Sequence, residues 1–175
     1  VVEFFRAVPV LLMMVFVYQL LIVYRLVPSD RLALTAVVTA LTLYNGAVVA
    51  ELVRSGVYGL PKGQREAASA IGMTHNQSLR IVELPQALIA MLPSLLSQFV
   101  VILKDTALGY LVTYNELLTL GRQFGSGNSN LLQTLLLVAV VFIVINYTLT
   151  KLADIVARRT SRRTSGKTAP HTPLP

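Results

Sequence analysis

The chain has 175 residues, of which 54% are apolar and 13% charged, about half the charged share usual for soluble domains. That balance excludes intrinsic disorder, a secreted mini-protein and a collagen-like repeat, and the absence of cysteine excludes disulfides, thiol catalysis and thiolate metal sites. The net charge of +7 is concentrated at one end, where residues 151–175 hold six Lys/Arg against one Asp.

The charges leave four free windows, residues 7–24, 32–50, 84–103 and 131–150, of 18, 19, 20 and 20 residues. At 1.5 Å per helical residue each is long enough to cross a hydrocarbon core about 30 Å thick. Their patterning is not period-2, so a membrane β-barrel is excluded. Helices are then the spanning solution, because each must pair its backbone polar groups within its own segment. The expected fold is an all-α membrane protein with four transmembrane helices over about 7–27, 32–53, 84–103 and 131–152.

Pro9 opens the first window, where a missing backbone donor costs little, and Pro28, Ser29 and Asp30 form a turn at its far end. The second helix is expected to run on towards Glu51 and Arg54 before Gly56, Gly59 and Pro61 break it. A loop over 56–83 follows, then the third span, which Pro93 should bend. Gly121, Gly125, Ser126, Gly127, Asn128, Ser129 and Asn130 read as a flexible loop before the fourth span. Residues 158–175 are polar, basic and proline-containing, and read as a disordered tail.

Orientation follows from counting Lys/Arg by side. One face receives Arg6, Arg54, Lys62, Arg65, Arg80 and the six of the tail, eleven in all, against four (Arg25, Arg31, Lys104 and Arg122) on the other. The positive-inside rule then places both ends and the 56–83 loop in the cytoplasm. The run Arg158, Arg159, Arg162 and Arg163 follows directly on a span and reads as an anchor beside anionic membrane lipid, with no nucleic-acid partner.

The 56–83 loop is far longer than a connector needs. It offers two short helix-forming pieces separated at Gly72, the first over Gln64 to Ile71 and rich in alanine. Ala67, Ala70, Ile71 and Thr74 share one face at i, i+3, i+4 and i+7, a narrow small-residue stripe suited to close docking. Gly72 fits a positive-φ residue at the helix C-terminus. Glu66 is expected to favour the helix start through the dipole.

Glu66, Ala67 and Ala68, then Gly72, then Val82, Leu84 and Pro85 meet the spacing of the cytoplasmic signature loop of permease subunits in ATP-binding-cassette importers, with Val at the usual Ile position. The flanking segments ALTLYNGAVVAELVRSGVYGLPKGQREAA and LPQALIAMLPSLLSQFVVILKDTAL resemble the polar amino-acid branch of that family (histidine, glutamine, glutamate and arginine types). The opening VEFFRAVPVLL is similar to the branch's segment before its second span. Ala107 stands where Ser is frequent, and Ala7 and Val8 where Gly-Thr is usual. The resemblance covers roughly residues 2–157, implying a permease domain over 1–157.

That branch commonly has five spans, so the resemblance implies a first helix outside this chain, which begins at Val1. It further implies that the loop is a coupling helix seated on a separate ATPase subunit, with Glu66, Ala67, Ala68, Gly72, Leu84 and Pro85 as its ATPase-coupling residues. The implied partners are ATPase subunits, a second identical or sister permease, an extracytoplasmic substrate-binding protein and a polar or charged amino acid such as glutamate or glutamine. ATP and Mg would sit in the ATPase subunits, with no cofactor or metal in this chain. The chain is expected to be no enzyme: near Gly166, Lys167 and Thr168 the first Gly of a phosphate-cradling loop is replaced by Ser161, and neither His75 nor His171 belongs to a metal or catalytic grouping.

Polar groups are costly within spans, and few are present. Asn45, Lys104, Asp105 and Thr106 are expected to face the substrate pathway, with Glu51 nearer its cytoplasmic exit, because an amino acid brings both an ammonium and a carboxylate. The alternative is that Lys104 and Asp105 snorkel or pair at the outer boundary and Glu51 pairs with Arg54 at i+3. The alternative for the whole is an oligomeric ion channel, which has no use for a loop of this pattern.

Overall fold

The computed structural model describes the backbone of residues 1–165 and side chains through Val156. The elements are α1 (Val2–Ala7), α2 (Val10–Val23), α3 (Leu32–Tyr58), α4 (Lys62–Ala70), α5 (His75–Gln77), a π-helical segment (Ser78–Glu83), α6 (Leu84–Asp105), a 3-10 helix (Thr106–Val112), α7 (Leu117–Gly127) and α8 (Leu131–Ser165). The chain is all-α over these residues, and residues 166–175 of the expected tail lie outside them.

Three helical stretches, Leu32–Tyr58, His75–Val112 and Leu131–Val156, are long and apolar enough to cross a membrane. The first expected span is realised as the 14-residue α2, about 21 Å long at 1.5 Å per residue. Pro9 precedes it as N-cap. At its other end Tyr24 closes the helix and Arg25 takes a left-handed conformation with φ 48°. The window was apolar to residue 24, but hydropathy does not register that backbone reversal.

Two expected irregular segments are helical in part; of the loop expected from Gly121 to Asn130, residues 121–127 are helical and 128–130 form the turn before α8. The glycine-containing stretch forms α7, started by Glu116, whose carboxylate accepts from the backbone N–H groups of Leu118 and Thr119 at 2.7 and 2.6 Å. Two of its glycines serve close packing: a Cβ on Gly121 would lie 2.6 Å from Val138 Cγ2, and one on Gly125 2.9 Å from the Leu131 Cα. The α8 helix runs on through residues 158–165, so that part of the expected disordered tail is a continuation of the last helix.

The described residues divide into two compact units, Val1–Glu51 with Gln98–Leu149 and Leu52–Ser97 with residues 150–165. The core of the first is Met13, Met14, Val37, Ala40, Leu41 and Val112, with Tyr18, Tyr44 and Leu108 packed against it. Ala36 and Ala40, one turn apart on α3, are wholly buried. Small residues at such positions let helix backbones approach where lipid supplies no hydrophobic drive between them. On α8, Leu132, Leu136, Leu137, Val140, Ile143, Val144 and Tyr147 are exposed. An apolar surface of that extent suits lipid or another membrane chain and not water. The protein is therefore a multi-pass membrane protein.

The second unit contains the loop. The end of α3 meets α6 so closely at Gly56 that a Cβ there would overlap Met91, and Ala87 beside it is fully buried.

Candidate functional site: the 56–83 loop and the polar groups of the spans

Pro61 fixes the start of α4, with φ −56° at the N-cap position and no side-chain cap. The helix therefore begins at Lys62, two residues before the expected start, and Glu66 lies in its middle rather than at its positive end. The dipole role expected for Glu66 is corrected accordingly; its side chain is exposed.

The helix closes in a Schellman motif. Gly72 takes φ 81°, its N–H donates to the Ser69 carbonyl at 3.0 Å, and the Met73 N–H donates to the Ala68 carbonyl at 3.1 Å. Thr74 then caps the next helix: its N–H donates to Gln77 Oε1 at 2.9 Å in a capping box. Two helical pieces thus meet at Gly72, and the second continues without a break into α6 as the stretch His75–Val112.

At the join the backbone is π-helical. The Leu84 N–H reaches back five residues to the Leu79 carbonyl, and Pro85 has no N–H to restore the α register. The i to i+5 register brings Ser78 and Glu83 to one side, where Ser78 Oγ donates to Glu83 Oε1 at 2.8 Å. Arg65 of α4 donates to Glu83 Oε2 through Nη2 at 2.8 Å and Nε at 3.3 Å. Glu83 is 2% exposed. The Arg65 guanidinium first, and the Ser78 hydroxyl next, hold its carboxyl below the usual glutamate range. Gln86 adds a second link, donating from Nε2 to Gln64 Oε1 at 3.2 Å.

These ties sort the faces of α4. Gln64, the buried Ala68 and the half-exposed Arg65 side chain face the rest of the loop, while Glu66, Ala67 and Ala70 are exposed. Leu84 is half-buried and Pro85 exposed at the foot of α6. A small cavity of about 250 Å³ lies beside the Arg65–Glu83 pair, lined by Tyr58, Lys62, Arg65, Glu66 and Glu83 among others.

In the first unit Asn45 is buried, donating from Nδ2 to the Leu41 carbonyl at 2.9 Å and accepting at Oδ1 from Gln98 Nε2 at 2.7 Å. Within this chain it links α3 to α6. Glu51 lies 3.7 Å from Arg6 Nη1, and Arg6 also borders an open cleft of about 510 Å³ with Glu3, Ala7, Tyr44 and Val48. Lys104 is exposed on a groove of about 650 Å³ with Ala107, Leu118, Val138, Phe142 and Asn146. Asp105 ends α6 half-buried, and Thr106 Oγ1 donates to the Leu103 carbonyl at 2.6 Å as the 3-10 helix begins. The structure thus places Lys104, Asp105 and Thr106 together at one helix end, with Asn45 and Glu51 a turn and a half apart on α3.

Among the described residues no group of three or more His, Asp or Glu is placed to hold a metal ion. Sequence reasoning passed over Arg65, Ser78, Glu83 and Gln98. A carboxylate immediately before Leu84-Pro85, at the root of a charge-free window, was the available signal for Glu83.

The family model described as binding-protein-dependent transport system inner membrane component matches residues 1–162. The chain belongs to this family. It is 51% identical over 159 residues to the glutamate transport system permease protein GluD of Corynebacterium glutamicum, covering 91% of this chain and 58% of that one. It is 30% identical to the glutamate/aspartate import permease protein GltK of Escherichia coli, over 91% of this chain and 74% of that one. A crystal structure of an amino acid ABC transporter with histidines superposes with TM-score 0.81 at 31% identity, over 90% of this chain and 72% of that one. The family's fold is thus that of this chain, which spans 58% of the length of the Corynebacterium relative.

Proposed function

We propose that this chain forms the membrane-spanning permease part of an ATP-driven importer for a polar or charged amino acid such as glutamate or glutamine. The observation that carries the reading is the loop. A short rigid helix is closed at a positive-φ Gly72 and tied to the helix that enters the membrane, with Glu66, Ala67 and Ala70 left exposed on its outer face. The names of the glutamate permease relatives support the substrate class.

In this account four helices cross the membrane, α2 among them, both ends of the chain are cytoplasmic, and the loop is the coupling element. Glu66 and Ala67 meet the ATPase directly, Ala68 packs the helix onto its own loop, and Gly72 sets the angle to the next piece. Leu84 and Pro85 carry the loop into the third span. ATP and Mg reside in the ATPase, so the chain is a transport subunit and not an enzyme. An extracytoplasmic binding protein delivers the amino acid, and a second permease subunit completes the path.

Lys104, Asp105 and Thr106 border that path, with Glu51 towards its cytoplasmic exit. Asn45 shapes it through the α3–α6 link. An ion channel would account for the spans but not for the built loop. The test is co-purification of ATPase with the subunit before and after deletion of residues 64–80. The ATPase is expected to be bound before and lost after; its retention on the deleted subunit would reject the reading.

A further inference from the structure

The covalent connection between α4 and the helix that continues into the membrane is the short turn around Gly72, which has a permissive left-handed residue and nothing within 4 Å of the space a Cβ would occupy. Backbone bonds at this one turn set the angle between the two pieces, and a push on α4 bears on that turn first. The side-chain links described above brace the turn from the opposite side: Arg65 and Gln64 of α4 reach Glu83 and Gln86, and Ser78 holds the second oxygen of Glu83.

We propose that Arg65 and Glu83 are positioning residues for coupled transport: their ion pair, steadied by Ser78 in the π-helical segment, locks α4 to the foot of the membrane-entering helix so that the two move as one lever. The inference rests on the reading of the loop as the ATPase-docking element. Three features of the pair carry it. It joins residues 18 apart in sequence across the turn, its carboxylate is 2% exposed, and it lies on the face of α4 away from the exposed Ala67 and Ala70. The Arg65 side chain is 47% exposed, and an ion pair with one solvated partner contributes little net stability; its use here is to fix one geometry. The π register, which aligns Ser78 with Glu83, has no other evident use at this place and is characteristic of functional segments.

The test uses the full-length subunit with its ATPase and binding protein in proteoliposomes, reading amino-acid uptake per ATP hydrolysed. Arg65→Gln and Glu83→Gln are expected to keep the ATPase bound and hydrolysing while uptake per ATP falls several-fold, and Arg65→Lys is expected to retain most of it. A second arm exploits the absence of cysteine from the chain: cysteines at positions 64 and 86, bridged by a short bifunctional thiol reagent, tie α4 down covalently. The bridged protein is expected to transport normally and, in the Arg65→Gln background, to recover the lost coupling. Unchanged uptake per ATP in Arg65→Gln overturns the proposal, as does failure of the bridge to restore coupling in that variant. Loss of transport on bridging the otherwise unaltered subunit also overturns it, and decides the matter even where a Gln variant does not assemble. If the unaltered subunit binds no ATPase, the functional reading falls first.

Discussion

Gln98 donates to Asn45 at 2.7 Å across 53 residues of sequence, and Asn45 in turn donates to the Leu41 carbonyl one turn back on its own helix. Two helices that lipid gives no hydrophobic reason to associate are thereby joined by a satisfied amide pair. Interhelical hydrogen bonds in membrane proteins average about 0.6 kcal/mol, whereas a buried acceptor stripped of its donor costs about 1–3 kcal/mol.

Gln98→Leu is therefore expected to destabilise the protein by about 1–2 kcal/mol, because Asn45 Oδ1 is left buried without its donor. Adding Asn45→Leu should recover most of the loss, since both polar groups are then gone. A double-mutant cycle by thermal unfolding in detergent measures this; additive losses would show that the two amides act independently.

At Gly72 the conformation and not the space is restrictive, since the site has open room but φ 81°. Gly72→Val should cost about 1–2 kcal/mol for a left-handed branched residue, while Gly72→Asn should be nearly neutral. Coupled uptake should follow the same order. Equal behaviour of the Val and Asn variants would mean that the Schellman turn does not set the helix angle.

Gly121 and Gly125 make the opposite case. A Cβ at Gly125 meets the Leu131 backbone, which cannot yield, and one at Gly121 meets a Val138 methyl, which can. Overpacking of this kind costs about 1–3 kcal/mol, so Gly125→Ala should be the more harmful. Val138→Ala should rescue Gly121→Ala and leave Gly125→Ala unrescued, as judged by melting temperature.

The Arg65–Glu83 pair carries a pH signature. Because the Glu83 carboxyl lies below the ordinary glutamate value of about 4.3 in the folded protein, the unfolded chain takes up the proton first as pH falls. The pair's contribution is thus complete above about pH 4.3 and drains away below it as pH passes through the folded-state value. The melting-temperature gap between the unaltered protein and Glu83→Gln should therefore shrink on acidification from pH 5 to pH 3. A gap that stays constant would assign the stabilisation to packing.

Much of this was legible in the sequence. Charge-free windows announce spans because a charge in lipid is expensive wherever the chain folds, and Gly72 could be placed because a left-handed helix end asks for glycine. The errors arise where tertiary contacts decide. Gly121 and Gly125 have the composition of a loop, yet each sits where another segment comes too near for a Cβ, and Glu116 supplies the cap that starts their helix. Glu66 drew attention by its motif, whereas the position of Glu83 at the root of a charge-free window could mark it but not its role, because its partner lies 18 residues away and its alignment with Ser78 needs a π register that no periodicity rule anticipates. Asn45 was singled out as polar within a span, but Gln98, its partner, could not be known before the helices were packed.

The central claim is that the 56–83 loop transmits the work of a separate ATPase to an amino-acid path through these helices. Its most direct measurement is uptake of labelled glutamate and glutamine into proteoliposomes holding the full-length subunit, ATPase and binding protein, with and without ATP, for the unaltered loop and for Gly72→Val. ATP-dependent uptake that falls in the variant while hydrolysis continues is the predicted result. Uptake that proceeds without ATP, or that is indifferent to the loop, would contradict the account.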